Sequence, residues 1–243
     1  MKSYFFEKEK VSQLLSVLQC DDSRIVFHAG KHSFQGFSGN DKLWELKLPL
    51  LMNFPCEKKQ KISSFGTIPP HTIILVRSGD AALGFHDGNS FLRHKIIHSY
   101  MVRKKHGKSQ LTYMKKKGKS RGGGPLRLRN AVKFFENIQK KLRLWNVADY
   151  SRFILIYCPE QLKNMLFSDA PGLPFSKDDE RIRKVPLDIG KPSMSEMKRV
   201  HHHALGAVLL CFEDKMKESS LCSSSVSALF PFKNEICGYP GKF

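Results

Sequence analysis

The chain has 243 residues, 41% apolar and 26% charged, enough for one sizeable core and too apolar for a wholly disordered polymer. Its 41 Lys and Arg against 22 Asp and Glu give a formal net charge of +19, which points to a partner of opposite sign. No run approaches the roughly 20 apolar residues of a membrane helix, charge interrupts the N-terminal MKSYFFEKEK where a signal peptide is apolar, and six cysteines without a C-x-x-C pair argue against a zinc ribbon or disulfide framework, so a soluble cytoplasmic protein is expected.

Residues 1–60 carry weak signals: a short amphipathic helix over Val11 to Leu18, a short strand over Arg24 to His28, and a polar connector from Glu57 to Ser64. From Ile68 the pattern sharpens. His71 to Arg77, Ala81 to His86 and Leu92 to Val102 are β-rich and separated by Ser78-Gly79-Asp80 and Asp87-Gly88-Asn89, which predicts a three-stranded antiparallel meander. Arg121 to Gly124 reads as a loop. Pro125 then suits the first turn of a long helix, whose Leu128, Ala131, Val132, Phe135, Ile138, Leu142 and Trp145 recur at steps of three and four. Arg152 to Cys158 is a continuous apolar run, expected of a strand buried on both faces. Pro159 to Phe167 reads as a short helix, and Arg181 to Ile189 as a strand that Pro186 puts at an edge or bend. Ser193-x-x-Glu196 is a capping-box pattern that opens a helix expected to reach about Phe212. These elements predict an α/β fold, a mixed sheet with a β-meander followed by alternating helices and strands. The expected division is an N-terminal segment 1–64, a main domain 65–213 and a loosely ordered tail 214–243.

Between Arg93 and Arg143 stand 17 Lys or Arg against one acid, Glu136, so +16 of the chain's +19 lies in about a fifth of its length. Solvated surfaces mix their signs. This segment does not, and it reads as a phosphate-binding surface. His201, His202 and His203 point about 100° apart on a helix and cannot chelate one ion from one face, so they read as one packed and two solvated imidazoles. Gly107-Lys108-Ser109 and Gly118-Lys119-Ser120 lack the spacing of a nucleotide-binding P-loop, and no hydrolase elbow or H-E-x-x-H is present. Within the basic zone the histidines His94, His98 and His106 are the side chains suited to general-base work. Gln110 follows a strand and precedes the basic loop. A neutral amide takes up no proton near neutral pH, but it can orient a water or hydroxyl by hydrogen bonds.

The order of these residues resembles the release-factor-like domain of the Vms and ankyrin-zinc-finger proteins and their compact bacterial relatives. That family's H-x-Y-x-V-R-x-K-x-G-x-[SA]-Q reads here His98-Ser99-Tyr100-Met101-Val102-Arg103-Lys104-Lys105-His106-Gly107-Lys108-Ser109-Gln110. Gly118 to Gly124, continuing through Arg127 and Asn130, is similar to a second signature. Arg181 to Pro186, Lys191-Pro192-Ser193 and Glu196 to His201 are similar to a third. The resemblance spans about residues 65–210. It implies a fold like the middle domain of eukaryotic and archaeal peptide release factors, whose glutamine-bearing loop enters the peptidyl-transferase centre. Neither zinc finger nor ankyrin repeat is visible, and Ala131 stands where eukaryotic members tend to have Glu, which favours the compact bacterial type.

The resemblance implies a ribosome-associated hydrolase that frees nascent chains from peptidyl-tRNA on stalled large subunits, either by hydrolysing the peptidyl ester or by cutting the tRNA near its CCA end. Gln110 takes the place of the family's essential glutamine, with Gly107 and Ser109 supporting the loop. Arg103, Lys104, Lys105, Lys108, Lys115, Lys116, Lys117, Lys119, Arg121, Arg127 and Arg129 are the expected RNA-binding residues. The expected partners are the large ribosomal subunit, its rRNA and peptidyl-tRNA. A monomer without metal or cofactor is expected, and a non-catalytic rRNA- or tRNA-binding module is the alternative.

Overall fold

The computed structural model describes residues 2–7, 10–11, 13–14, 24–28, 32–52, 67–99, 123–168 and 172–212. Among the described residues, fourteen elements follow in chain order. Strands β1 (Lys2–Phe6), β2 (Arg24–His28), β3 (Ser33–Ser38) and β4 (Asp41–Lys47) precede β5 (His71–Arg77), β6 (Asp80–His86) and β7 (Phe91–His98). Helix α1 (Gly123–Leu144), α2 (Val147–Tyr150), β8 (Phe153–Tyr157), α3 (Glu160–Leu166), β9 (Ile182–Lys184), α4 (Met194–Leu205) and β10 (Ala207–Cys211) complete the set. The fold is α/β, with two five-stranded sheets. The chain divides into one unit drawn from residues 1–67 and 202–243 and another of residues 68–201.

In the first unit the sheet runs β1-β10-β4-β3-β2 with every neighbouring pair antiparallel. Its core gathers Phe6, Val11, Leu14, Trp44, Leu46 and Leu209. Residues 10, 11, 13 and 14 are helical, in keeping with the amphipathic segment expected there, the rest of which lies outside the described residues. Gly36 is dictated by packing, since a Cβ there would stand 2.2 Å from the Trp44 ring. Strand β10 corrects the expected helix to Phe212: α4 stops at Leu205, and after Gly206 the five residues Ala207–Cys211 form a strand hydrogen-bonded between β1 and β4. All five are buried, and such an unbroken apolar run carries no period to tell strand from helix. The main domain expected over 65–213 therefore gives up its last strand to the N-terminal sheet.

In the second unit the sheet is mixed, in the order β7-β6-β5-β8-β9. The meander β5-β6-β7 is antiparallel, while β8 lies parallel to β5 and to β9. Gly79 and Gly88 turn the meander at φ of 86° and 109°, a backbone region that side chains disfavour. Successive strand residues face opposite ways. Ile74, Val76, Ala81 and Leu83 face α1, α2 and α3 in one core with Phe134, Phe135, Ile138, Leu142 and Trp145. Met197 of α4 covers the other face, its sulfur 2.9 Å from where a Cβ of Gly84 would stand.

Helix α1 begins two residues before the expected Pro125, and its buried stripe is rotated from the expected one. Phe134 is buried, whereas Leu128 and Val132 are 39% and 43% exposed. Buried Gln139 ties α1 to the end of α3, its Nε2 donating to Leu166 O at 3.0 Å and Ser168 O at 3.1 Å. The expected strand 181–189 is real only over Ile182–Lys184, at the sheet edge. Ser193 caps α4 as its motif implies, its Oγ accepting the Glu196 N–H at 3.2 Å. The expected connector 57–64 and the tail 214–243 lie outside the described residues.

Candidate nucleic-acid interface

Register places the candidate site at one end of the second sheet. Arg77 ends β5 opposite Asp80, and Asp80 stands opposite His98, the last residue of β7. This is the carboxyl end of the parallel strands, where α/β sheets carry their ligand sites. His98 Nδ1 donates to Asp80 Oδ1 at 2.5 Å, which orients an imidazole that is itself largely exposed. Ser99 follows, its N–H donating to Gly79 O at 2.7 Å and its hydroxyl to Asn130 O of α1 at 3.2 Å. At the far end of the same pair of elements, Arg93 of β7 reaches Trp145 O at 3.5 Å. Helix α1 thus runs back along β7. The two elements that bracket residues 100–122 are fastened to each other near both ends.

Along this seam lies an open groove of about 460 Å³. Its lining is Lys95, Ile96, Ile97 and His98 from β7, and Asn137, Lys140, Lys141 and Leu144 from α1. No acidic side chain lines it among the described residues. Lys141 also sits 5.9 Å from the Trp145 ring centroid, a cation–π contact that steadies its long stem. Three lysines around an apolar floor suit a polyanion that also offers flat apolar surface.

Of the expected site residues, Gln110, Gly107, Ser109, Arg103, Lys104, Lys105, Lys108, Lys115, Lys116, Lys117, Lys119 and Arg121 lie outside the described residues. Arg127 falls in the first turns of α1, and Arg129, two residues further, is exposed. Of the groove residues, His98 was a general-base candidate and opens the first signature, Lys95, Lys140 and Lys141 stood in the charge count, and Asn137 and Leu144 were not expected. Their signal was the spacing Asn137, Lys140, Lys141, Leu144, a second face of the helix opposite the buried stripe.

The histidine run resolves differently from a site. His201 packs against His71 and His86 at the opposite end of the second sheet. His202 is exposed, while half-buried His203 has its ring 5.7 Å from that of Phe5. Nitrogens of His71, His86 and His201 lie within 4.8 Å of one another, the spacing of a metal cluster. Their hydrogen bonds commit them otherwise. His71 Nδ1 donates to Pro69 O at 2.8 Å, its Nε2 meets His201 Nδ1 at 3.0 Å, and His86 Nδ1 accepts the Gly88 N–H at 3.0 Å. The His86 ring stacks on both others, at 4.8 and 4.2 Å, instead of converging with them on a point. Burial pushes the His71 pKa down to about 3 and lowers that of His86, so burial favours the neutral form of both rings.

The third signature is likewise structural. Arg181 bonds Asp179, Ala148 O and Ser151 O, bracing the β8–β9 side of the sheet. Glu196 accepts the Gly190 N–H and pairs with Arg199 at 2.7 Å.

Among known proteins, the family described as the Bacteroidetes VLRF1 release factor matches residues 71–209. The tRNA endonuclease ANKZF1 of Mus musculus is 25% identical over 135 residues, which are 54% of this chain and 18% of that protein. The tRNA endonuclease VMS1 of Saccharomyces cerevisiae is 32% identical over 112 residues, 45% of this chain and 17% of that protein. The match therefore spans less than a fifth of the length of these relatives. A solved structure titled Vms1 mitochondrial localization core aligns with 82% of this chain and 83% of its own at 17% identity, with a TM-score of 0.45. No described helix is long and apolar enough to cross a membrane.

Proposed function

The chain belongs to the Bacteroidetes VLRF1 release-factor family, and from that premise we propose that it frees nascent chains from peptidyl-tRNA on stalled large ribosomal subunits in the cytoplasm. The observation that carries the reading is the family match over residues 71–209, which includes the whole segment from His98 to Gln110. The groove supports it with lysines on β7 and α1, the two elements that flank that segment. In this reading the basic face docks on rRNA and the tRNA acceptor arm, and lysine and arginine displace counterions from phosphate. Gln110 enters the peptidyl-transferase centre and orients the nucleophile by hydrogen bonds, its amide neither taking nor giving a proton.

Two bonds are open to attack. Water adding to the peptidyl ester gives a free peptide and intact tRNA. A ribose hydroxyl attacking the neighbouring phosphate displaces the 5′ oxygen of the next nucleotide and cuts the tRNA chain; the mouse and yeast relatives are named tRNA endonucleases. Purified large subunits carrying labelled peptidyl-tRNA, treated with wild type or Gln110→Ala, decide between them on one gel. Peptide with full-length tRNA means ester hydrolysis, and tRNA lacking its end means nuclease action. Gln110→Ala is expected to abolish release with ribosome binding kept. Binding without turnover by the wild type would refute the enzymatic reading and leave an RNA-binding module.

A further inference from the structure

The groove carries more than charge, and we propose that it holds one unpaired nucleotide of RNA, the base against its apolar floor and the flanking phosphates on its lysines. This rests on the reading that the basic face meets RNA, and it names the part of the RNA that the groove takes.

A surface that met only phosphates would need cations and nothing else. Here Lys95, Lys140 and Lys141 surround Ile97 and Leu144. Leu144 is 70% exposed, the most exposed large apolar side chain among the described residues. An apolar wall gains nothing from a phosphate oxygen but does gain from the face of a base. Bases present their faces only where they are unstacked, in loops, bulges and single-stranded ends. Duplex RNA hides those faces and offers phosphates and sugars to a protein.

Asn137 supplies a third kind of contact. It is exposed on α1, one helical turn before Lys140 and Lys141, and its amide carries two donors and an acceptor, the complement of a base edge. His98, fixed by Asp80, closes the end of the groove next to residues 100–122. The volume of about 460 Å³ lies in the range of small-ligand sites, roughly 300 to 1,000 Å³, which suits one nucleotide. Lysines on both walls, with no acid between them among the described residues, leave a polyanion as the occupant.

The test measures binding of the full chain to a labelled single-stranded RNA and to a blunt-ended RNA duplex of equal length, by fluorescence anisotropy across a salt series. Wild type is expected to prefer the single strand by about tenfold, in line with base-stacking contributions to single-strand binding. Leu144→Ser and Asn137→Ala, both at exposed positions, are expected to erase most of that preference while leaving duplex affinity and its salt slope unchanged. Lys140→Gln with Lys141→Gln is expected to weaken both RNAs and to reduce the salt slope by roughly two. Equal wild-type affinity for the two RNAs, or no effect of Leu144→Ser, overturns the nucleotide site and leaves the proposed function standing if release persists. Failure to bind either RNA at low salt overturns both.

Discussion

Lowering the pH from 7.5 to 5 should destabilise the second unit through His71. The sign follows from the proton count. In the unfolded chain His71 titrates near 6.5, whereas burial holds it at about 3 in the fold, so the unfolded state binds more protons between those values. Its contribution is complete above pH 6.5 and is lost as the pH falls toward 3. At pH 5 an unfolded imidazole is almost fully protonated and the folded one is not, which amounts to about 2 kcal/mol lost relative to pH 7.5. His86 shifts in the same direction and adds to the loss. The groups that face His71 are His86, stacked 4.8 Å away, and His201, bonded to its Nε2, both of which oppose protonation. Urea unfolding of wild type and His71→Leu at both pH values isolates the effect, because carboxylates elsewhere contribute equally to both proteins. His71→Leu should be less stable at pH 7.5 and lose about 2 kcal/mol less than wild type on acidification. Equal losses in the two proteins would refute a neutral, buried His71.

Gln139→Leu keeps the side chain's bulk but leaves Leu166 O and Ser168 O without their donor, at a cost of about 2 kcal/mol and a fall in Tm of about 6 °C by calorimetry. Ser193→Ala removes the cap of α4 and should cost about 1 kcal/mol in urea unfolding. Micromolar zinc should leave the thermal transition where it is, since hydrogen bonds already engage both ring nitrogens of His71 and the Nδ1 of His86; a rise of several degrees would show that the cluster converges on an ion.

What could be read from the amino acids alone follows the range of the interactions involved. The meander was legible because its signals are local: short β-rich apolar runs in β5 and β6, and glycines at positive φ in the turns between strands. The N-terminal sheet was legible only at β2. Its buried positions include Ser33, Gln35 and Glu45, which a strand pattern scores as exposed. They are buried as a polar set, with Ser33 and Gln35 donating to Glu45 Oε1 at 3.0 and 3.2 Å and Lys42 pairing with its other oxygen. Only the pairing of β3 with β4 makes that burial affordable, and pairing is what a single strand does not display.

The same limit separates the two halves of the candidate site. Gln110 could be singled out because a signature holds it in a fixed order with its neighbours along the chain. The groove could not, because Ile97 and Leu144 become neighbours only when α1 folds back along β7, held by Ser99 on Asn130 O and Arg93 on Trp145 O. Net charge described the whole basic segment as one feature, yet the structure distinguishes Lys140 and Lys141, which line a shaped site, from exposed Arg129, which does not. That distinction has a kinetic consequence. Substituting Arg129 should slow association and flatten its salt dependence, as expected of a steering charge, whereas substituting Leu144 should speed dissociation, as expected of a lost short-range contact. Stopped-flow association and dissociation rates on single-stranded RNA separate the two, and a change confined to the association rate in both variants would mean that the groove acts as field alone.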